Sequence, residues 1–141
     1  MGKAQHFQLT ILSDFSNLGA VADFITHAAG ESGLDESASY NAQMAVDEAV
    51  TNVIEHAYHG RQDGQIFISC ESDDDEFIIV IQDYGKPFDF NKVPKPRVKG
   101  PLARRSIGGL GVFFMKKLMD KVEFSSSADR GNRVRMVKRI R

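Results

Sequence analysis

The chain has 141 residues, 42% hydrophobic and 26% charged, the size and make-up of one domain around one core. Its 18 basic and 19 acidic residues leave a formal net charge of −1, a balance that gives no support for a general nucleic-acid binder. No run of 18 apolar residues occurs, so nothing reads as a membrane span or anchor. The single cysteine, Cys70, has no internal disulfide partner and points to a reducing, cytoplasmic setting.

Residues 6–12 alternate, with Phe7, Leu9 and Ile11 on one side, and predict a half-buried strand. Asp14 or Ser16 can cap the helix that follows, whose apolar positions are Leu18, Val21, Phe24, Ile25 and Ala28. Gly30 and Gly33 end it. A longer helix is predicted from about Glu36 to His59, with Tyr40, Met44, Val50, Val53, Ile54 and Ala57 as its buried stripe and Gly60 as its stop. Two strands follow, near residues 65–72 and 76–82, joined by an acidic turn at Asp73, Asp74 and Asp75. Cys70 falls within the first and reads as buried and inert. The second carries the apolar run FIIVI and predicts a central strand covered on both faces.

The stretch from Tyr84 to Ile107 holds all four prolines and little periodicity. A loop this long inside a compact domain is commonly functional or disordered. A helix starts near Gly109–Gly111 and runs to Met119. Residues 121–127 and 133–140 read as two closing strands. No repeat and no second domain emerges.

On the long helix Glu48, Asn52, Glu55 and His59 recur at spacings of four, three and four and share one face. Spacing alone favours a solvated face. A carboxylate and an amide four residues apart can also share a divalent cation or its waters, and Mg²⁺ is commonly held in this way beside phosphates. The four histidines lack metal-ligand spacing, which argues against zinc. Asp83 ends the central strand, where a carboxylate can accept a hydrogen bond from a base amino group, and Gly85 lets the backbone approach a flat ligand. A plain turn explains DYGKP equally well. Gly108, Gly109 and Gly111 open a helix and can present N–H groups to phosphates, but no GK[ST] follows, so this is not a Walker motif. Lys92, Lys95, Arg97, Lys99, Arg104 and Arg105 precede these glycines. They can close as a lid, form a partner surface or simply remain solvated.

Taken in order, DEAVTNVIEHAY, DYGKPFD and GGLGVFFMKKLMDKVEF resemble the ATPase superfamily of histidine-kinase catalytic domains, gyrase, the Hsp90 chaperone and MutL. Within it the chain is most similar to the bacterial anti-sigma-factor serine kinases of the sporulation and stress-response type. The resemblance spans nearly the whole chain and implies a two-layer α/β sandwich, with helices on one face of a mixed, mainly antiparallel sheet. The sheet core would come from Phe7, Leu9, Ile79, Ile81, Val122, Phe124, Val134 and Met136. Val50, Val53, Ile54, Leu110, Phe113 and Leu118 would face it. Residues 1–141 would form one kinase-like domain with a mobile ATP lid at about 86–107.

The resemblance also implies roles. Glu48 corresponds to the general base, Asn52 to the Mg²⁺ ligand, Asp83 to the reader of the adenine amino group, and Gly85 to the glycine beside it. Gly108, Gly109 and Gly111 correspond to the glycines facing the phosphates, and Arg104 and Arg105 to basic residues of the lid. Cofactors would be ATP and Mg²⁺. The reaction would phosphorylate a serine or threonine of a STAS-domain anti-sigma antagonist, a sigma factor would be sequestered, and homodimers are common in the group. Neither nucleic acid nor membrane is an expected partner. The chain departs from the family after Gly131, where Asn132 stands at a position often occupied by threonine or serine; Asn132 still carries a donor. A nucleotide-responsive binding module without phosphotransfer is the alternative, and the presence of Glu48 favours the kinase, since binding needs no base.

Overall fold

A computed structural model describes residues 4–87 and 108–140. Strand β1 (Gln5–Leu12) leads through a 3₁₀ turn (Phe15–Asn17) into α1 (Leu18–Glu31), followed by α2 (Glu36–Asn52) and a π-helical turn (Val53–Ala57). Then come β2 (Gln65–Ser72), β3 (Glu76–Asp83), α3 (Gly108–Leu118), β4 (Lys121–Ser127) and β5 (Gly131–Arg139). The strands form one five-stranded sheet in the order β1-β2-β3-β5-β4. Every pairing is antiparallel, so the expected mixed sheet narrows to an antiparallel one in the expected α/β sandwich.

The three helices lie on one face of the sheet, and α2 packs against both α1 and α3. Asp35 begins α2 by accepting a 2.7 Å hydrogen bond from Ala38 N, a cap worth about 1 kcal/mol. At the start of the first helical segment the cap is Asp14, which accepts from Ser16 N at 2.9 Å. The buried face of α2 is made of Ser39, Ala42, Ala45, Val46, Ala49 and Val50. Tyr40 and Met44, assigned to that face by hydrophobicity, are 59% and 38% exposed. A helix flanked on both sides must present small residues to let its neighbours approach, so the alanines take the interior and the large side chains are left outside. Phe113 is likewise displaced: it is 52% exposed, while Met115 and Met119 fill the core.

β3 sits at the centre of the sheet, as its FIIVI run suggests, but the described residues cover only one of its faces. Phe77, Ile79, Ile81 and Asp83 point to the helices and are buried, while Ile78, Val80 and Gln82 lie half-buried on the open face. Beneath the helices, Ile66, Ile68 and Cys70 of β2 and Val134 and Met136 of β5 complete the core, with Phe7, Leu9, Val122, Phe124 and Leu118 packed at its margin. Each fully buried aliphatic side chain contributes about 1.5–3 kcal/mol. Cys70 has no exposure, and burial pushes its thiol up to about 12, so it stays protonated and unreactive.

Candidate functional site

One half of the site is the C-terminal part of α2. Asn52 is 2% exposed, and its Nδ2 is buried with no hydrogen-bond partner among the described residues. Leaving such a group unpaired costs about 1–3 kcal/mol, and an orphan of this kind in a native fold calls for a ligand, an ion or a catalytic role. One turn earlier on the same face stands Glu48, half-buried. Burial pushes its carboxyl above the usual range, and the charges of Asp47 and Glu55 add to the shift. Burial raises Asp47 as well. A carboxylate held this way takes up a proton more readily than an ordinary glutamate.

The expected four-member polar stripe does not survive intact. After Asn52 the helix widens into the π turn, where Tyr58 N bonds to Val53 O at 3.0 Å. Glu55 points to solvent, and His59 lies beyond the helix with a φ of 53°. Glu48 and Asn52 keep their relation because both precede the widening.

The second half is the end of β3. Asp83 is 2% exposed, and burial raises its pKa, opposed by its hydrogen bonds. Its Oδ1 accepts from Gly85 N at 2.9 Å and from Asn132 Nδ2 at 2.8 Å. Asn132 also donates to Gly85 O at 3.1 Å, and its own Oδ1 accepts from Ser126 Oγ at 2.8 Å. The residue that departs from the family pattern is therefore the one that orients the aspartate and spans the turn. Its donor capacity was legible in the sequence; the Ser126 contact was not, because it depends on the β4–β5 register.

Gly131 starts β5 with a φ of 69°, and a Cβ there would come within 2.2 Å of Asp83 O. Gly131→Ala is therefore expected to incur both left-handed strain, about 1–3 kcal/mol, and a backbone overlap that displaces Asp83. Gly60, with a φ of 80° and open space around it, is the control: Gly60→Ala carries strain alone. Urea denaturation should place Gly131→Ala below Gly60→Ala, and only the former should weaken nucleotide binding.

The halves meet at the end of the π turn. Lys86 N donates to Ala57 O at 2.8 Å. Gly85 lies so close that a Cβ would stand 2.6 Å from that same oxygen. Gly85 is thus required by a close approach of two backbones. α3 packs on α2 and begins at Gly108, so Gly108, Gly109 and Gly111 all fall in its first turn, where N–H groups lack intrahelical partners and favour anions. Arg104 and Arg105, the other expected lid residues Lys92, Lys95, Arg97 and Lys99, and the side chain of Leu110 lie outside the described residues.

An adenine nucleotide with a divalent cation fits this set. Asp83 has its Oδ1 committed to the protein and its second oxygen left to read a base amino group. The unpartnered Nδ2 of Asn52 is a donor and suits a phosphate oxygen or a water, while the oxygen of the same amide is the atom that can face Mg²⁺, which binds beside phosphates while keeping several waters.

Residues 11–138 match the histidine kinase-like ATPase domain family. The anti-sigma F factor of Oceanobacillus iheyensis is 36% identical over 124 residues, 86% of this chain and 80% of that protein. The anti-sigma F factor of Clostridium botulinum is 39% identical over 123 residues, 86% of this chain and 82% of the other. The serine-protein kinase RsbW of Listeria innocua is 30% identical over 120 residues, 82% and 75% of the two chains. The crystal structure of the RsbU and RsbW domains of a Mycobacterium tuberculosis protein superimposes with a TM-score of 0.68 at 17% identity, covering 96% of this chain and 32% of that longer one, a likeness of fold. Among the described residues no helix is long and apolar enough to cross a membrane. The chain belongs to the histidine kinase-like ATPase domain family, in its branch of bacterial anti-sigma-factor serine/threonine kinases.

Proposed function

We propose that this chain, acting as a single domain with an ATP lid at about 86–107, phosphorylates a serine or threonine of a STAS-domain anti-sigma antagonist and sequesters a sigma factor. The observation that carries the reading is the buried, unpartnered amide of Asn52 one turn from the half-buried Glu48. The names of the relatives, anti-sigma F factor and serine-protein kinase, support both parts of it.

When bound, Mg²⁺–ATP supplies the phosphoryl group and offsets its charge. The residues of the chain position and deprotonate. Asp83 accepts a hydrogen bond from the adenine amino group, and Gly85 admits the ring. Asn52 presents its amide oxygen to the cation. The backbone of Gly108, Gly109 and Gly111 faces the phosphates, with Arg104 and Arg105 of the lid on the same charge. Glu48 takes the proton from the attacking hydroxyl as the oxygen gains the γ-phosphoryl group and ADP leaves. Homodimerisation belongs to the same reading.

The test is incubation with Mg²⁺ and ATP labelled at the γ-phosphate, together with a STAS-domain partner. Label on a partner serine or threonine is expected. Tight ATP binding without transfer would leave the nucleotide-responsive binding module as the better account. Failure to bind any adenine nucleotide would overturn both.

A further inference from the structure

The turn that follows Asp83 is anchored from two sides. Asn132 holds it from the sheet. From the helical layer it is held by consecutive residues, Ala57 through its carbonyl and Tyr58 through its hydroxyl. The Tyr58 hydroxyl donates to Gln65 O at 2.6 Å and accepts from Tyr84 N at 3.0 Å. These two bonds use its only proton and one lone pair, so their directions are fixed. The ring that carries the hydroxyl cannot tilt away over Gly64, because even a Cβ at that position would stand 2.4 Å from two ring carbons.

We propose that Tyr58 is a positioning residue for adenine recognition, its hydroxyl holding the Tyr84–Gly85 turn so that the Asp83 carboxylate keeps its aim at the base. The inference rests on the ATP reading above and adds a residue to it. The chain of contacts is short. Tyr84 N is fixed by Tyr58, the next amide, Gly85 N, bonds to Asp83 Oδ1, and Lys86 N closes onto Ala57 O. Three successive amides thus set the turn, and two of them are anchored on the end of the π turn. The Tyr84 side chain is exposed; it meets the edge of Phe67, with ring centroids 6.0 Å apart, and Gln82 Nε2 at 3.0 Å, and its ring lies beside Gly131, where a Cβ would come within 2.8 Å of it. These contacts are made by the side chain, whereas the Tyr84 amide is held by Tyr58. Burial pushes the Tyr58 pKa up, against the lowering by the Tyr84 N–H bond, so the hydroxyl keeps the proton it donates to Gln65.

Tyr58→Phe removes the hydroxyl and keeps the ring over Gly64. ATP affinity is expected to fall about three- to tenfold, the worth of one hydrogen bond. The affinity for purine riboside triphosphate, which lacks the 6-amino group, should not change, nor should the rate of phosphotransfer at saturating ATP. Hydrogen exchange at the Tyr84 amide should quicken while the amides of Ile79 and Ile81 keep their protection. Gly64→Ala, which displaces the ring with its hydroxyl intact, should reproduce the selective loss.

Equal losses for the two nucleotides, or none for ATP, in a folded Tyr58→Phe protein would overturn the positioning role. A wild-type protein that binds ATP no better than the analogue would overturn the adenine reading and this inference together. Wild-type discrimination that persists undiminished in both variants would overturn this inference alone.

Discussion

Glu48→Gln is expected to lower phosphotransfer by about 10²–10⁴-fold, the usual contribution of a positioned general base, while ATP affinity is retained. Glutamine keeps the size of the side chain and its place on α2 but cannot accept the hydroxyl proton. Single-turnover transfer from labelled ATP measures the first quantity and equilibrium titration the second; unchanged transfer would remove Glu48 from the mechanism. The pH dependence follows from the direction of its shift. Burial and the charges of Asp47 and Glu55 raise its pKa, so the acidic limb of the wild-type rate profile should lie above the range in which an ordinary glutamate titrates. Stability moves the other way. A carboxyl whose folded pKa is raised favours the fold most in its protonated form, and that contribution is lost as pH rises through the folded pKa. Near neutrality the ionised Glu48 is a cost. The glutamine variant should therefore melt higher than wild type at neutral pH, and the difference should vanish as pH falls into the ordinary carboxylate range.

Asn52→Leu should separate stability from function more sharply. The wild-type amide is buried without a partner for Nδ2 among the described residues, so an apolar side chain of the same branching removes an uncompensated group worth about 1–3 kcal/mol. In the absence of nucleotide, the melting temperature is expected to rise by about 3–10 °C for a domain of this size. In its presence the variant should lose the Mg²⁺-dependent part of ATP binding, and with it the further rise in melting temperature that a ligand binding only the folded state confers. Calorimetric melts with and without Mg²⁺–ATP report both effects in one experiment. A variant that is less stable without ligand, yet still stabilised by Mg²⁺–ATP, would show that the amide serves packing and not the cation. The stability–activity conflict is the expected mark of a residue kept for its ligand.

The order of strands and helices was legible because period-two alternation and helical spacing are local properties. Gln65–Ser72 and Lys121–Ser127 lie where their patterns predict. Facing was less legible. Tyr40 and Met44 have the spacing and hydrophobicity of core residues, but α2 runs between two helices, and close approach selects Ala42, Ala45 and Ala49. The same limit applies to FIIVI, where an unbroken apolar run describes a central strand but not whether its second face is covered.

In the site, Asp83 and Gly85 could be proposed from their place at a strand end. The supports around them, Asn132 with Ser126 and Tyr58 with Gln65, arise from pairings between segments far apart in sequence. Tyr58 carried one sign of its role: a half-buried tyrosine hydroxyl needs a partner.

The widened turn at Val53–Ala57 was not legible at all, since no residue type in it departs from ordinary helix. It has a consequence for how the gene can vary. A π turn holds one residue more than the regular helix needs, so deleting any one residue of this segment would let the helix close into a uniform spiral. Ala57 and Tyr58 would then keep nearly their present direction from Asn52, because a residue of a π turn advances by about 80° where a residue of regular helix advances by about 100°. Winding the same number of residues as regular helix would instead swing both by about 90°, and the adenine turn would lose its anchors without any contact residue having been replaced. Lineages of this protein should accordingly tolerate the loss of one residue between Asn52 and Tyr58 but no insertion there.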